Sequence, residues 1–142
     1  MDQATFGDLK TAYLTGFFDG EGCVTIGQNG NITLRVINTN HETLKEFVTF
    51  FGGTIGNRSQ IVNKKQYTWS IYGQAAIDVA KKMLHFSIEK REQLFALIDY
   101  FEKRCELAAN FRPQRTATVG REELVKEYRD KLTKMKKGIV NG

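Results

Sequence analysis

The chain has 142 residues, of which 41% are hydrophobic and 11% aromatic, so its composition excludes a disordered chain and suits one domain with a single core. Lysine and arginine total 21 against 16 acids, and the formal charge of +5 is compatible with nucleic-acid binding without requiring it. A polar N-terminus and the lack of a long apolar run predict a soluble, intracellular protein with no membrane segment.

The first predicted helix covers residues 5–18, with Leu9, Ala12, Tyr13 and Phe17 apolar at helical spacing. Asp8 and Thr11 are alternative N-caps.

The two cysteines, Cys23 and Cys105, are far apart in the sequence, and neither lies near a histidine at the spacing of metal ligands. A zinc site is therefore not expected, and both cysteines are interpreted as buried free thiols.

Two acids, Asp19 and Glu21, directly follow the first predicted helix, where its last turn should be. The helix dipole favours cations at this end. Because this position is locally unfavourable, we expect a compensating partner such as a bound divalent cation. Gly16 and Gly20 form a pair of small residues four apart, which lets two helix backbones approach closely. Two such helices would bring one acid each to a shared point. The alternative is an ordinary core helix with a glycine C-cap.

Beyond residue 22 the hydrophobic pattern alternates between the strand and helix periods. An Asn-Gly turn at residues 29–30 separates two alternating strands whose apolar members, Val24, Ile26, Ile32, Leu34 and Val36, should face a core. The predicted strands are 23–28, 31–38, 54–61 and 67–72, and the predicted helices are 41–51 (capped by Asn40 or Thr39), 74–84, 89–107 and 121–137, with 108–120 as a loop.

This order predicts an α+β domain with a four-stranded antiparallel sheet backed by helices. One domain covers 1–142, with a core at about 5–107 and a C-terminal loop and helix at 108–142. No acid occurs in 22–41 or in 47–77, so the outer face of the sheet should be polar and basic. Such a ribbon can lie in the major groove of DNA. The alternative is that strands simply carry few acids.

The two hairpins supply candidate contacts to double-stranded DNA. Arginine can read guanine, asparagine and glutamine can read adenine, and the lysines of the second turn suit phosphates. Trp69 is expected to pack in the core. The candidate DNA contacts are Thr25, Gln28, Asn29, Asn31, Thr33, Arg35, Asn57, Arg58, Gln60, Lys64, Lys65, Gln66, Thr68 and Ser70.

Residues 14–22, Leu-Thr-Gly-Phe-Phe-Asp-Gly-Glu-Gly, resemble the defining motif of the LAGLIDADG homing endonucleases, with Glu21 where the common form has aspartate. The element order is also similar to that of the LAGLIDADG domain, and the resemblance covers about residues 12–107. It implies an antiparallel saddle-shaped sheet and an intron-encoded, Mg²⁺-dependent endonuclease that cuts a long, near-palindromic DNA site with short 3′ overhangs. A chain with one motif resembles the homodimeric members.

The resemblance also implies roles for the motif residues. Glu21, with the Gly20 carbonyl as an accessory ligand, would bind Mg²⁺, or Mn²⁺ or Ca²⁺ in its place, and no small-molecule cofactor is expected. Asp19 would support the helix end instead of binding metal. The implied dimer interface consists of Tyr13, Gly16, Phe17 and Gly20.

Outside the motif, Lys90 matches the active-site lysine that the family carries just before its long helix, with Arg91 as the alternative. The family also places a polar residue near the metal-bound water, for which Asn38, Asn40 and His41 are candidates. An ordinary helix cap is the alternative interpretation of Asn38 and Asn40.

Two other functions fit the same sequence. The first is a maturase or transcription-factor relative that binds DNA or RNA without nuclease activity. The second is a small α+β interaction domain that dimerises through its glycine-notched helix, for which no salt-dependent DNA affinity is expected.

Overall fold

The computed structural model describes residues 5–58, 65–110 and 114–138. Its elements confirm the predicted order of helices and hairpins. Among the helices in these ranges, none combines the length and the apolarity needed to cross a membrane. The elements are α1 (Phe6–Glu21), β1 (Gly22–Ile26), β2 (Ile32–Asn38), α2 (His41–Phe51), β3 (Thr54–Arg58), β4 (Gln66–Tyr72), α3 (Gly73–Leu84), α4 (Arg91–Asn110) and α5 (Gln114–Lys136).

The four strands form one antiparallel sheet in the order β1-β2-β4-β3. Val24 pairs with Leu34, which pairs with Ile71, so these side chains form one row on one face of the sheet. All three are buried, and the apolar set predicted for the first hairpin is buried with them. The helices cover this face, so the side chains that alternate with the buried ones form the outer face.

Trp69 occupies the centre of the core between β4 and α2. Its ring is fully buried against Phe47 and Phe51, with ring centroids 4.8 Å and 6.4 Å away. The indole nitrogen donates a hydrogen bond to the Gly52 carbonyl at 2.8 Å, which satisfies its polar atom. The predicted packing role of Trp69 is confirmed.

Gly52 and Gly53, which end α2, allow a matched test of this packing. Both have positive φ, 88° for Gly52 and 86° for Gly53. A Cβ added to Gly53 would lie 2.5 Å from the Ser70 carbonyl oxygen. A Cβ added to Gly52 would have no described atom within 4 Å apart from its chain neighbours. Gly52→Ala should cost about 1 to 3 kcal/mol from backbone strain alone, because its φ of 88° with ψ of −160° is a conformation that essentially only glycine adopts. Gly53→Ala should cost more, because the backbone of β4 must also move. Chemical denaturation of both variants measures the difference, and equal losses would contradict the steric explanation.

Helix α1 differs from the prediction in its cap. Thr5 is the N-cap, in a capping box with Asp8, whereas Thr11 lies inside the helix and donates to the Gly7 carbonyl. Of the residues that give α1 its apolar spacing, Leu9 and Tyr13 are exposed and so are not part of the core. Apolar spacing alone does not show which face packs on the sheet. The buried residues of α1 are Thr11, Leu14, Thr15 and Phe18.

The C-terminal region is more helical than predicted. Helix α4 continues to Asn110 and α5 begins at Gln114, so much of the predicted loop 108–120 is helix. Packing explains the difference, because Leu107 lies against Gly120 where the two helices meet. Phe95 of α4 is 62% exposed. Along α5, Leu124, Val125, Tyr128 and Leu132 are buried, and Met135 packs against them.

A polar contact also joins α5 to α4. The Tyr128 hydroxyl donates a hydrogen bond to Asp99, and the Lys103 ammonium lies 2.8 Å from the same hydroxyl. The bond from Tyr128 lowers the pKa of Asp99, with burial opposing it and the positive charge of Lys103 assisting. The Lys131 ammonium lies over the Tyr128 ring, 4.3 Å from its centre. These contacts fix the orientation of α5 on the domain.

The two cysteines are free, as predicted, but they are not buried. Cys23 is half-buried because it lies on the outer face of β1, opposite Arg35 of β2. Cys105 is exposed on α4.

Candidate functional site

Asp19, near the end of α1, caps the chain segment that leads into α4. Its carboxylate accepts a hydrogen bond from the Ser87 hydroxyl at 2.5 Å. It also accepts from the backbone N–H groups of Ile88, Glu89 and Lys90 at 2.7, 3.2 and 3.3 Å. Four donors therefore occupy this carboxylate. The geometry agrees with a supporting role for Asp19, which joins the end of α1 to a segment more than sixty residues later in the chain.

The same contacts determine how Asp19 ionises. Partial burial acts to raise the pKa of Asp19, but the Ser87 hydroxyl and the three N–H groups together lower it below 3.8. A carboxylate whose pKa is lowered in the folded state stabilises the fold above its unfolded pKa. That stabilisation is lost as the pH falls through the lower, folded value.

Asp19→Asn should therefore reduce the free energy of unfolding by about 1 to 3 kcal/mol at neutral pH, since charge-assisted hydrogen bonds are lost. The variant should also lose less stability than the wild type as the pH falls below about 4. Urea unfolding at several pH values measures both effects. Asp78→Asn is the control, because Asp78 is exposed and bonds to Gln74 one turn away. Parallel pH curves for Asp19→Asn and the wild type would contradict the assignment.

Lys90 and Glu21 both lie at the C-terminal end of α1. The Lys90 ammonium donates a hydrogen bond to the Asp19 carbonyl oxygen at 2.5 Å, two residues before Glu21 in the chain. Lys90 is half-buried, whereas Glu21 is exposed to solvent. Arg91, the alternative to Lys90, instead lines a cleft between α4 and α5 with Phe95. Of the two cations, only Lys90 has a described contact at the end of α1.

The donor atoms at this helix end are suited to a hard divalent cation. The Glu21 carboxylate and the Gly20 carbonyl are oxygen ligands of the kind that Mg²⁺ and Ca²⁺ accept. Gly20 is exposed, and no described atom lies within 4 Å of the place where its Cβ would stand, so a ligand has room to approach. Within residues 5–58, 65–110 and 114–138, no three His, Cys, Asp or Glu side chains cluster as a metal site. Further ligands would have to come from phosphate, water or a second chain.

The candidate water-ordering residues lie at the end of β2 and the start of α2. Asn38 accepts a hydrogen bond from the Asn40 backbone N–H at 2.8 Å, and Asn40 caps α2 by accepting from the Thr43 N–H at 3.2 Å. His41 stacks edge-on against Tyr67 with ring centroids 4.7 Å apart. Asn38 stands two residues beyond the pairing of Gly22 with Val36, at the same end of the sheet as Glu21. Asn40 therefore has the ordinary capping role. Asn38 remains the candidate for ordering a water molecule.

The outer face of the sheet carries many of the predicted DNA contacts. The strand register places Thr25, Thr33, Arg35, Thr68 and Ser70 together on this face. Thr33 and Ser70 are 8% and 7% exposed, so they present only small polar surfaces between larger neighbours. Arg35 is half-buried at the centre, between Cys23 and Ser70.

Other predicted contacts lie at the ends of the strands and in the turns. Gln28, Asn29 and Asn31 are exposed in the first turn. Asn57 pairs with Tyr67 and so lies on the helix side of the sheet, because side chains alternate along a strand. Of the remaining candidates, Lys65 is exposed, and Gln66 begins β4 on the outer face. Arg58 ends β3, but its side chain is not described. Gln60 and Lys64 lie outside the described residues.

Sequence reasoning missed several residues of the outer face, among them Ile37 and Tyr72. These two share this face with Arg35 and Thr33, and Tyr72 is 55% exposed. Counting alternate positions outward from the buried Val36 and Trp69 would have found them.

The tip of the first hairpin is held by the C-terminal helices. The Gly30 carbonyl accepts hydrogen bonds from the Tyr100 hydroxyl at 2.9 Å and from Arg104 at 3.0 Å. Arg121 of α5 donates to the Asn29 carbonyl at 3.2 Å. The turn is therefore fixed against α4 and α5, while its polar side chains stay exposed.

The exposed face of α1 is a continuous apolar and glycine stripe. Phe6, Leu9 and Tyr13 are 79%, 60% and 62% exposed, and Gly16 and Gly20 continue the same row. The spacing of three and four residues is that of a helix-pairing seam. Phe17, predicted with this set, is half-buried on the inner flank of α1, 5.9 Å from the Phe47 ring centre. Phe6 and Leu9 extend the stripe by two turns before the motif.

Comparison with known proteins agrees with this architecture. The fold is similar to that of the homing endonuclease I-CvuI in complex with its target in the presence of Ca, with a TM-score of 0.60, 20% identity and coverage of 95% of this chain and 98% of that chain. It is also similar to the archaeal intron-encoded homing endonuclease I-Vdi141I complexed with DNA, with a TM-score of 0.62, 20% identity and coverage of 90% and 84%. No curated protein matches the sequence.

The sequence profile of the LAGLIDADG-like domain matches residues 8–126. Those residues include the glycine-notched helix α1, the whole sheet, Lys90 and half of α5. The chain therefore belongs to the LAGLIDADG family.

Proposed function

We propose that the protein is a homodimeric, metal-dependent endonuclease that cuts both strands of a long, near-palindromic DNA site. The observation that carries the proposal is the placement of Glu21 and Lys90 at the same exposed end of a helix whose outer face is apolar and notched by glycines. Membership of the LAGLIDADG family supports it. The solved relatives include homing endonucleases complexed with DNA.

Glu21 and the Gly20 carbonyl would hold the divalent cation, which supplies phosphate polarisation and an activated water when bound. Lys90 is fixed by the Asp19 carbonyl with its charge directed at the same end of α1. There it stabilises the negative charge that builds up on the scissile phosphate. Asn38, at the same end of the sheet, is the side chain best placed to orient a water molecule. Relatives were crystallised with Ca or with Mg, so either ion suits a first test.

The composition of one protomer supports a homodimer. Of the two acids in the motif, only Glu21 is uncommitted, because Asp19 is occupied by four donors. Cutting two strands requires two such sites, and a two-fold axis beside Gly16 and Gly20 would place the second Glu21 next to the first. The exposed apolar residues Phe6, Leu9 and Tyr13 would then be buried in the dimer.

The outer face of the sheet would bind the DNA. It belongs to two segments without acids, 22–41 and 47–77, and it carries Arg35 at its centre. An antiparallel ribbon of this kind fits the major groove, where arginine and amide side chains read base edges. Phosphate contacts should provide a large, salt-dependent part of the affinity.

Selection from a pool of near-palindromic duplexes tests the proposal and identifies the target site in the same experiment. The purified protein is incubated with the pool in Mg²⁺, in Ca²⁺ or in chelator, and cut products are sequenced. We expect double-strand cleavage of one related set of sequences that depends on the divalent ion. Tight, salt-dependent binding without cleavage would favour a DNA-binding relative without nuclease activity. The absence of salt-dependent binding would leave only an interaction domain.

A further inference from the structure

Helix α5 runs antiparallel to β1, the edge strand of the sheet. Arg121 contacts the hairpin turn at Asn29, and Lys136 lies with its ammonium 3.6 Å from the Cys23 sulfur at the start of the strand. The fifteen residues of helix between these cations span about 22 Å. Over the same distance the chain runs from Cys23 through β1 into the first turn at Asn29. Contacts near both ends therefore hold α5 along the edge of the sheet.

One flank of α5 borders the outer face of the sheet. Cys23 belongs to that face, with its sulfur 3.4 Å from the Thr25 hydroxyl, so Lys136 reaches over the sheet edge onto it. Midway along the helix, Arg129 lines a shallow groove with Gln28 of the turn. Val125 points into the domain and is buried.

The charges along this groove are balanced. Lys126 and Arg129 share it with the acids Glu122 and Asp130. Both acids stand four residues from Lys126, so helical spacing places them on its side of the helix, where they can neutralise it. Arg129 borders the turn, and Lys136 adds a positive charge beyond the groove, at the start of β1.

We propose that the edge of α5 marked by Arg129 and Lys136 binds phosphates of the DNA backbone beside the hairpin that reads the bases. The inference rests on the proposed DNA-binding function. A ribbon that fills the major groove has the two phosphate strands beside its edges, because the groove is only about 12 Å wide. A helix fixed along edge strand β1 therefore faces one of these strands. Lysine and arginine at such a position bind without sequence preference.

Charge-neutralising variants test this surface on a mixed-sequence duplex. Arg129→Gln and Lys136→Gln should each reduce the slope of log K against log salt by about 1, since each removes one phosphate contact. Lys134→Gln is the matched control, because this exposed lysine lies on the same helix but lines the cleft on its other side, with Phe95 of α4. Thermal unfolding of each variant verifies that the fold is unchanged.

The control should keep the wild-type slope, and the double variant should lose about twice as much as either single one. Wild-type slopes in both single variants, or an equal decrease in Lys134→Gln, would overturn the inference. These results differ from a failure of the proposed function itself. In that case the wild-type protein would show no salt-dependent affinity for the duplex.

Discussion

Glu21→Gln is expected to lower the cleavage rate by at least about 10³-fold, because the loss of the metal-binding carboxylate removes several kcal/mol of transition-state stabilisation. The substitution keeps the size of the side chain and changes only its charge and donor properties. Since Glu21 is exposed at the end of α1, the fold should be unaffected. Cleavage of a selected duplex in Mg²⁺, measured in single turnover, provides the rate.

DNA binding should survive in this variant, measured in Ca²⁺ or in chelator. In chelator the affinity should equal or exceed that of the wild type, because a negative charge near the phosphates has been removed. Glu127→Gln is the control, since Glu127 is an exposed glutamate of α5 that pairs with Lys131. Full cleavage by Glu21→Gln would show that the assigned metal ligand is wrong, whereas equal losses in both variants would indicate a general effect of charge.

Gly16→Leu should separate the dimer while leaving each protomer folded. No described atom outside the backbone of α1 lies within 4 Å of the place where a Cβ on Gly16 would stand, so the protomer has room for a side chain. Leucine is also a better helix former than glycine by about 0.5 to 1 kcal/mol. In a close helix pair, however, overpacking costs about 1 to 3 kcal/mol at each site, and a two-fold axis applies it twice. The dimer dissociation constant should therefore rise by about 30-fold or more.

Sedimentation velocity over a dilution series measures the association, and circular dichroism follows the fold. Ala75→Leu adds the same side chain to an exposed position of α3 and should change neither. Cleavage of both strands should fall with the dimer fraction, and a high protein concentration should restore it. A Gly16→Leu protein that stays dimeric would place the interface elsewhere. One that unfolds would show that Gly16 packs within the protomer.

The residues that surround the end of α1 show where sequence reasoning succeeds. The strand period, the Asn-Gly turn and the double glycine after α2 are local signals, and each predicts the observed element. Short motifs identify Glu21 and Lys90, and the structure brings them to the same helix end. Local patterns carry this information because backbone geometry depends on residues a few positions apart.

Other features depend on contacts between distant residues. The apolar spacing of α1 includes Leu9 and Tyr13, but it does not show that both are exposed while Thr11 and Thr15 are buried. A helix with apolar residues on two faces does not show by itself which face packs on its own sheet. The long α4 and the early start of α5 likewise depend on the packing of one helix against the other, as the contact at Gly120 illustrates.

The sequence by itself determined the order of elements and the family motif with Glu21, because these are written in local period and spacing, while the resemblance to the family added Lys90 as a second charged candidate. Only the tertiary structure decided that Asp19 caps the segment before α4, that α5 flanks β1, and that the exposed stripe of α1 begins at Phe6. The first two features join residues tens of positions apart, and the third depends on which face of α1 packs on the sheet. Such contacts form only when the whole chain buries its apolar surface, and the periodicity of one element does not show which distant residues it will contact.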